Sequence, residues 1–171
     1  LTQDFIPSAE HRLAVGGARE RRFVAGLSMG GFGALHLAVH RPDLFRAAAA
    51  LSPAIFEDAR HASDFPDFQM RFFAGAFGDP FDVGQFNRQN VFRRLPGLAL
   101  RLEDRPTDFY IMTGDHDSFG LWRGALAFFR AARDSGLPAE LRVRDGDHEW
   151  RLWRDELDDV LRWIAALQIK D

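Results

Sequence analysis

A short apolar run, Arg22-Phe23-Val24-Ala25, feeds straight into Gly26-Leu27-Ser28-Met29-Gly30, and Gly31-Phe32-Gly33-Ala34-Leu35 then opens an amphipathic helix. This strand, tight turn and helix constrain the chain more than any other feature. A serine in such a turn stands at the end of a strand with its hydroxyl held clear of the sheet. Glycines two before and two after it let strand and helix cross closely. The G-x-S-x-G pattern alone is weak; its strand-then-helix setting gives it weight.

The same alternation continues along the chain. Ala47 to Leu51 is a second apolar run, short enough for a buried strand and stopped by Ser52-Pro53. A strand is expected over 108–113, ending at Gly114, and a half-buried one over 140–144, where Glu140-Leu141-Arg142-Val143-Arg144 alternates. Helices are expected over 1–15, with Phe5, Ile6, Ala9 and Leu13 on one face, and from Gly30 to about His40. Two more are expected over 121–135 and 149–167, the last with Leu152, Trp153, Leu157, Val160, Leu161 and Ile164 as its apolar stripe. The first strand is expected over 21–27. Strands alternating with helices imply an α/β fold with a parallel sheet. Between 54 and 106 the pattern loosens into short helices and loops rich in phenylalanine, among them Phe56, Phe65, Phe68, Phe72, Phe73, Phe77, Phe81, Phe86 and Phe92. Those rings are expected mainly to pack this insert onto the sheet. A pocket for an acyl group or an aromatic alcohol is the alternative.

Composition narrows the chemistry. At 171 residues, 46% hydrophobic and 27% charged, the chain reads as one soluble globular domain. A net charge of −3 argues against a general binder of nucleic-acid backbone. No apolar run approaches the length of a membrane span, and the compartment, cytoplasmic or exported, stays open. The chain begins at Leu1, which leaves room for a leader or further sequence upstream. With no cysteine, thiolate nucleophiles and Cys-zinc sites drop out. The only lysine is Lys170, so Schiff-base and Walker-type chemistry drop out too.

A serine hydroxyl needs a base to take its proton as it attacks, and that base is normally an imidazole oriented by a carboxylate. In the α/β-hydrolases, whose strand, tight turn and helix this segment resembles, the three follow in the order Ser, Asp or Glu, His, each at the carboxyl end of a strand. Ser28 lies past the first strand. Gly114-Asp115-His116-Asp117 lies past the third, and Asp145-Gly146-Asp147-His148 past the last. For the acid, Asp117 is preferred and Asp115 is the alternative, with Asp117 then a helix cap. The plainer readings are Ser28 as a helix N-cap and His148 as a surface-loop histidine. His36 and His40 are expected to be packing or surface residues, His116 a loop residue, and His11 and His61 have no partner pattern. Asp115-His116-Asp117 makes a poor metal site, because neighbours in an extended turn point apart.

Gly26-Leu27-Ser28-Met29-Gly30-Gly31-Phe32-Gly33-Ala34, Pro42-Asp43-Leu44-Phe45, Ser52-Pro53, Gly114-x-x-Asp117 and His148-x-Trp150-x-x-Trp153 together resemble the esterase D-like branch of the α/β-hydrolases. That branch holds feruloyl and acetylxylan esterases, enterochelin-type esterases, S-formylglutathione hydrolases and mycolyltransferases. The resemblance implies an α/β-hydrolase fold, a mostly parallel sheet with helices on both faces, with the front strands missing from this chain. It implies Ser28 as nucleophile, Asp117 as acid and His148 as base, with the Met29 backbone N–H as one oxyanion donor and the second donor outside this chain. Asp147 departs from the pattern, since many relatives carry a second glycine there. The implied function is a serine carboxylic-ester hydrolase working through an acyl-enzyme on a small-molecule ester, with no cofactor, metal, nucleic acid or membrane. Its alternatives are an acyltransferase, or a truncated fragment that does not turn over. Self-association through an unpaired sheet edge is expected of a chain without those front strands.

Overall fold

In a computed structural model, residues 1–65, 70, 73, 75–101 and 106–168 are described; Phe68 and Phe72 of the insert, and Lys170, lie outside them. Four strands form one sheet in the order of the chain: β1 (Phe23–Leu27), β2 (Ala47–Leu51), β3 (Asp108–Gly114) and β4 (Ala139–Arg144). Every pairing is parallel, with Phe23 opposite Ala47, Ala47 opposite Asp108, and Phe109 opposite Ala139. Parallel strands are covered on both faces, which is why β2 reads as an unbroken apolar run and all five of its residues are buried.

The two-residue period decides which helix each side chain meets. Ala48, Ala50, Phe109 and Ile111 face α2 (Met29–His40) and α5 (Trp122–Asp134), packing on Leu35, Val39, Ala125 and Phe128. Ala49, Leu51, Tyr110 and Met112 face α6 (Trp150–Gln168), packing on Leu152, Trp153 and Val160. Helices thus lie on both faces. Short helices α3 (Val83–Gln89) and α4 (Leu95–Arg101) belong to the insert. There Phe65, Phe73 and Phe86 are buried against Phe56, Phe77 and Phe81 as a separate aromatic cluster. No helix among the described residues is long and apolar enough to cross a membrane.

Two expectations about apolar faces need correction. Helix α1 spans Phe5–Leu13 rather than 1–15 and buries none of its residues. Phe5 is 64% and Leu13 65% exposed. The helix is held instead by Glu10, which takes a two-pronged contact from Arg22 at 2.5 and 2.8 Å. That hydrogen-bonded guanidinium lowers the Glu10 carboxyl from 4.5 to about 2. Because its folded value is depressed, the tether is fully present above the ordinary carboxylate range and is lost as pH falls through about 2. On α6, Leu157 and Leu161 are exposed rather than buried. Leu157 and Trp150 line an open groove with Ala25, Gly26 and Leu27 of β1 and Leu51 of β2. Among the described residues, β1 pairs only with β2, so its other edge is free.

Glu156 fastens α6 to the sheet. It is 3% exposed, accepts a short hydrogen bond from the Tyr110 hydroxyl, and pairs with Arg144 Nε at 2.8 Å. Burial first, and then this carboxylate, push the Tyr110 phenol above its ordinary value. Glu156→Ala strands a buried hydroxyl and opens a void. It is expected to cost about 2–4 kcal/mol, read as a lower urea midpoint at unchanged m-value. A midpoint equal to wild type would refute that role.

Candidate active site

The site is built at the carboxyl ends of β1, β3 and β4. Ser28 follows β1 with φ 53° and ψ −121°, a conformation in which non-glycine residues are strained. The main chain fixes it there. Ser28 N–H donates to Leu51 O at 2.8 Å, and Ser28 O accepts from Phe32 N–H at 3.1 Å and Ala54 N–H at 3.0 Å. The crossing is tight: a Cβ on Gly26 would lie 2.2 Å from Gly30 O, so only glycine fits.

After β3 the chain turns through 114–121, and after β4 through 144–149. These loops press together; a Cβ on Gly114 would lie 2.2 Å from Gly146 O. Asp117 is buried there and presents Oδ2 to His148 Nδ1 at 2.9 Å. Its Oδ1 accepts from Phe119 N–H at 3.0 Å and Leu121 N–H at 3.4 Å. Asp117 therefore both caps the turn and faces the imidazole. Asp115 points elsewhere, accepting from Gly146 N–H at 3.1 Å. His148 Nε2 lies 3.0 Å from Ser28 Oγ, so one imidazole links serine and carboxylate. A neutral imidazole bonded this way carries its proton on Nδ1 and offers Nε2 as an acceptor for the serine hydroxyl.

Two rings hold that imidazole edge-on, Phe119 at 4.9 Å and Trp153 at 4.8 Å between centroids. Trp153 is itself fixed by its indole N–H, which donates to the buried Ser52 Oγ at 3.1 Å. The sequence placed Trp153 and Ser52-Pro53 in motifs without giving either a contact, and nothing in it singled out Phe119. Met29 begins α2, so its N–H is among the first amides of the helix, which have no intrahelical acceptor. His36 and His40 stack on each other along α2 at 4.0 Å, and burial lowers the His36 value. Among the described residues, Asp115, His116 and Asp145 are the one set of three or more His, Asp or Glu side chains whose possible metal-ligand atoms all lie within 4.8 Å of one another, and all three are exposed.

The Esterase family model matches residues 1–164. The chain belongs to the Esterase family. A curated relative is the S-formylglutathione hydrolase of Paracoccus denitrificans (strain Pd 1222), 28% identical over 148 residues, covering 86% of this chain and 48% of that protein. Among solved structures, a ferulic acid esterase superposes with a TM-score of 0.74 at 26% identity, covering 97% of this chain and 59% of that one. An S-formylglutathione hydrolase from Agrobacterium tumefaciens gives a TM-score of 0.68 at 23% identity, covering 98% and 56%. The fold is thus the α/β-hydrolase fold in part. This Esterase-family chain spans about half the length of the curated relative it matches.

Proposed function

We propose that this chain carries the Ser-Asp-His triad and one oxyanion donor of a serine carboxylic-ester hydrolase. The observation behind the proposal is the continuous path Ser28 Oγ, His148, Asp117, with contacts of 3.0 and 2.9 Å. Ser28 Oγ attacks the ester carbonyl carbon while His148 Nε2 takes its proton, and Asp117 stabilises the imidazolium that forms. The negative oxygen of the tetrahedral intermediate is met by the Met29 N–H. Its collapse breaks the bond to the alcohol oxygen, which leaves with the proton from His148, and Ser28 keeps the acyl group. Water, deprotonated by His148, then attacks the acyl-enzyme and releases the acid. An alcohol in place of that water makes the same sequence an acyl transfer. The substrate is read as a small-molecule ester, and residues 1–171 as one partial domain with its insert at about 54–106.

The test is direct. The chain should react stoichiometrically with an organophosphonate and hydrolyse p-nitrophenyl acetate slowly, since one oxyanion donor in place of two costs about 10²–10³ in rate, and the phosphonylated chain should no longer hydrolyse it. No adduct and no hydrolysis would reject the reading.

The free edge of β1 supports a second proposal about the same molecule. An unpaired parallel edge on the strand that shares a groove with exposed Trp150 and Leu157 presents amides, carbonyls and apolar surface that another strand can cover. A fragment that associates without turnover is the corresponding alternative function. The 171-residue chain at micromolar concentration is expected to elute above its monomer mass in size-exclusion chromatography with light scattering. A clean monomer refutes self-association.

A further inference from the structure

The two loops that carry Asp117 and His148 are joined by more than the contact between those side chains. Asp115 N–H donates to Arg144 O at 2.9 Å and His116 N–H to Gly146 O at 3.1 Å. Gly146 N–H returns a bond to Asp115 Oδ1 at 3.1 Å. The last link comes from Asp147. One oxygen of its carboxylate, Oδ1, accepts from Ser118 N–H at 2.6 Å and from His148 N–H at 2.6 Å. Ser118 directly follows Asp117, and Asp147 directly precedes His148. The bond between these neighbours closes a ring around the Asp117–His148 contact.

We infer that Asp147 is a positioning residue, a clasp that fixes the His148 imidazole on Asp117 by tying together the backbones next to both. The inference rests on the reading of His148 and Asp117 as base and acid. A shared carboxylate oxygen suits the task. Hydrogen bonds to an ionised acceptor are shorter and about twice as strong as neutral ones. Asp147 is exposed, so its charge stays hydrated, and the two amides hold its carboxyl below the ordinary range. A glycine at this position supplies no such acceptor. The Ser118 and His148 amides would then turn to water, and the loops would be joined only at their base, by the bonds of Asp115 and His116 to Arg144 and Gly146, with no link next to the imidazole. With the backbone of residue 148 loosened, the imidazole between Asp117, Phe119 and Trp153 would shift with it, and the Nε2–Oγ distance would vary accordingly. A misplacement of that kind can lower turnover about 10²-fold.

The experiment compares Asp147→Gly and Asp147→Asn with the wild-type chain. The Asn carboxamide oxygen can accept both amides, whereas Gly removes the acceptor. Two readouts are taken. One is kcat and KM for an activated aryl ester. The other is the low-field proton resonance of His148 Nδ1–H in protein labelled with ¹⁵N-histidine, which reports the imidazole–carboxylate bond without turnover. Asp147→Gly is expected to lower kcat roughly tenfold to a hundredfold with KM little changed, and to broaden or remove the resonance. Asp147→Asn is expected to restore both. The inference is overturned if Asp147→Gly keeps the wild-type kcat and resonance, or if it changes only the melting temperature. It is equally overturned if Asp147→Asn is as impaired as Asp147→Gly. Should Asp147→Gly fail to fold, Asp147→Ala replaces it, with the same expectations. If no form hydrolyses ester, the functional proposal fails, and the resonance still decides whether Asp147 holds the pair.

Discussion

Ser28→Ala is expected to lower kcat for a short-chain aryl ester by about 10⁴–10⁶-fold, with KM within a few-fold. The size of the effect follows from what the hydroxyl does and does not hold. Every main-chain bond that fixes residue 28, from its N–H to Leu51 and from Phe32 and Ala54 to its carbonyl, survives the substitution. Alanine inherits the same strained φ of 53°, so the turn keeps its shape. What disappears is the atom 3.0 Å from His148 Nε2 and with it the acyl-enzyme. Ester binding, which does not require that oxygen, should persist. Melting temperature and organophosphonate labelling complete the test. The variant should melt with wild type and take up no probe; labelling equal to wild type would show that another residue is the nucleophile.

Much of the fold was legible because its punctuation is chemical. Gly114 and Ser52-Pro53 close strands where the sequence says they close, and Gly136-Leu137-Pro138 closes α5. The elements found lie within about two residues of those expected, apart from the start of α1, which begins at Phe5 rather than at residue 1. Periodicity shows which residues share a helix face. It cannot say whether a partner covers that face. Phe5 and Leu13 on α1, and Leu157 and Leu161 on α6, share a face as expected and stand exposed. Leu157 lines a groove with Ala25, Gly26 and Leu27 of β1, a strand that pairs on one side only among the described residues.

The site was legible as residue types past strand ends and no further. That order brought Ser28, Asp117 and His148 forward as candidates, because strand-end loops of a parallel sheet converge. Phe119 meets the His148 ring from the other loop, the Asp147 carboxylate meets Ser118 across 29 positions, and Trp153 is fixed by Ser52 across 101, and no local pattern records such contacts. Glu156 had a signal that was available and unread. It lies three residues after Trp153 and four before Val160, within the buried stripe of α6, where an acidic residue must find a partner. Tyr110 and Arg144 are those partners.

Asp117→Asn is expected to lower kcat about 10³–10⁴-fold, and Asp115→Asn to leave it within a few-fold. Asparagine is close to isosteric, and its oxygen can still accept from Phe119 and Leu121 N–H, so the cap on the turn remains. The other arm then presents an NH₂ group to His148 Nδ1. Two donors cannot share that contact, so the imidazole must offer Nδ1 as an acceptor and carry its proton on Nε2, facing Ser28. A protonated Nε2 cannot take the serine proton, and the carboxylate charge that would stabilise the imidazolium is gone. At Asp115 the same substitution changes little, because its partner is the Gly146 amide, which an asparagine oxygen accepts as well. Each variant should melt near wild type, which makes kcat the discriminating measurement. If Asp115→Asn loses activity and Asp117→Asn keeps it, the acid has been assigned to the wrong residue. If both keep it, the imidazole works without a carboxylate partner and the relay through Asp117 is wrong.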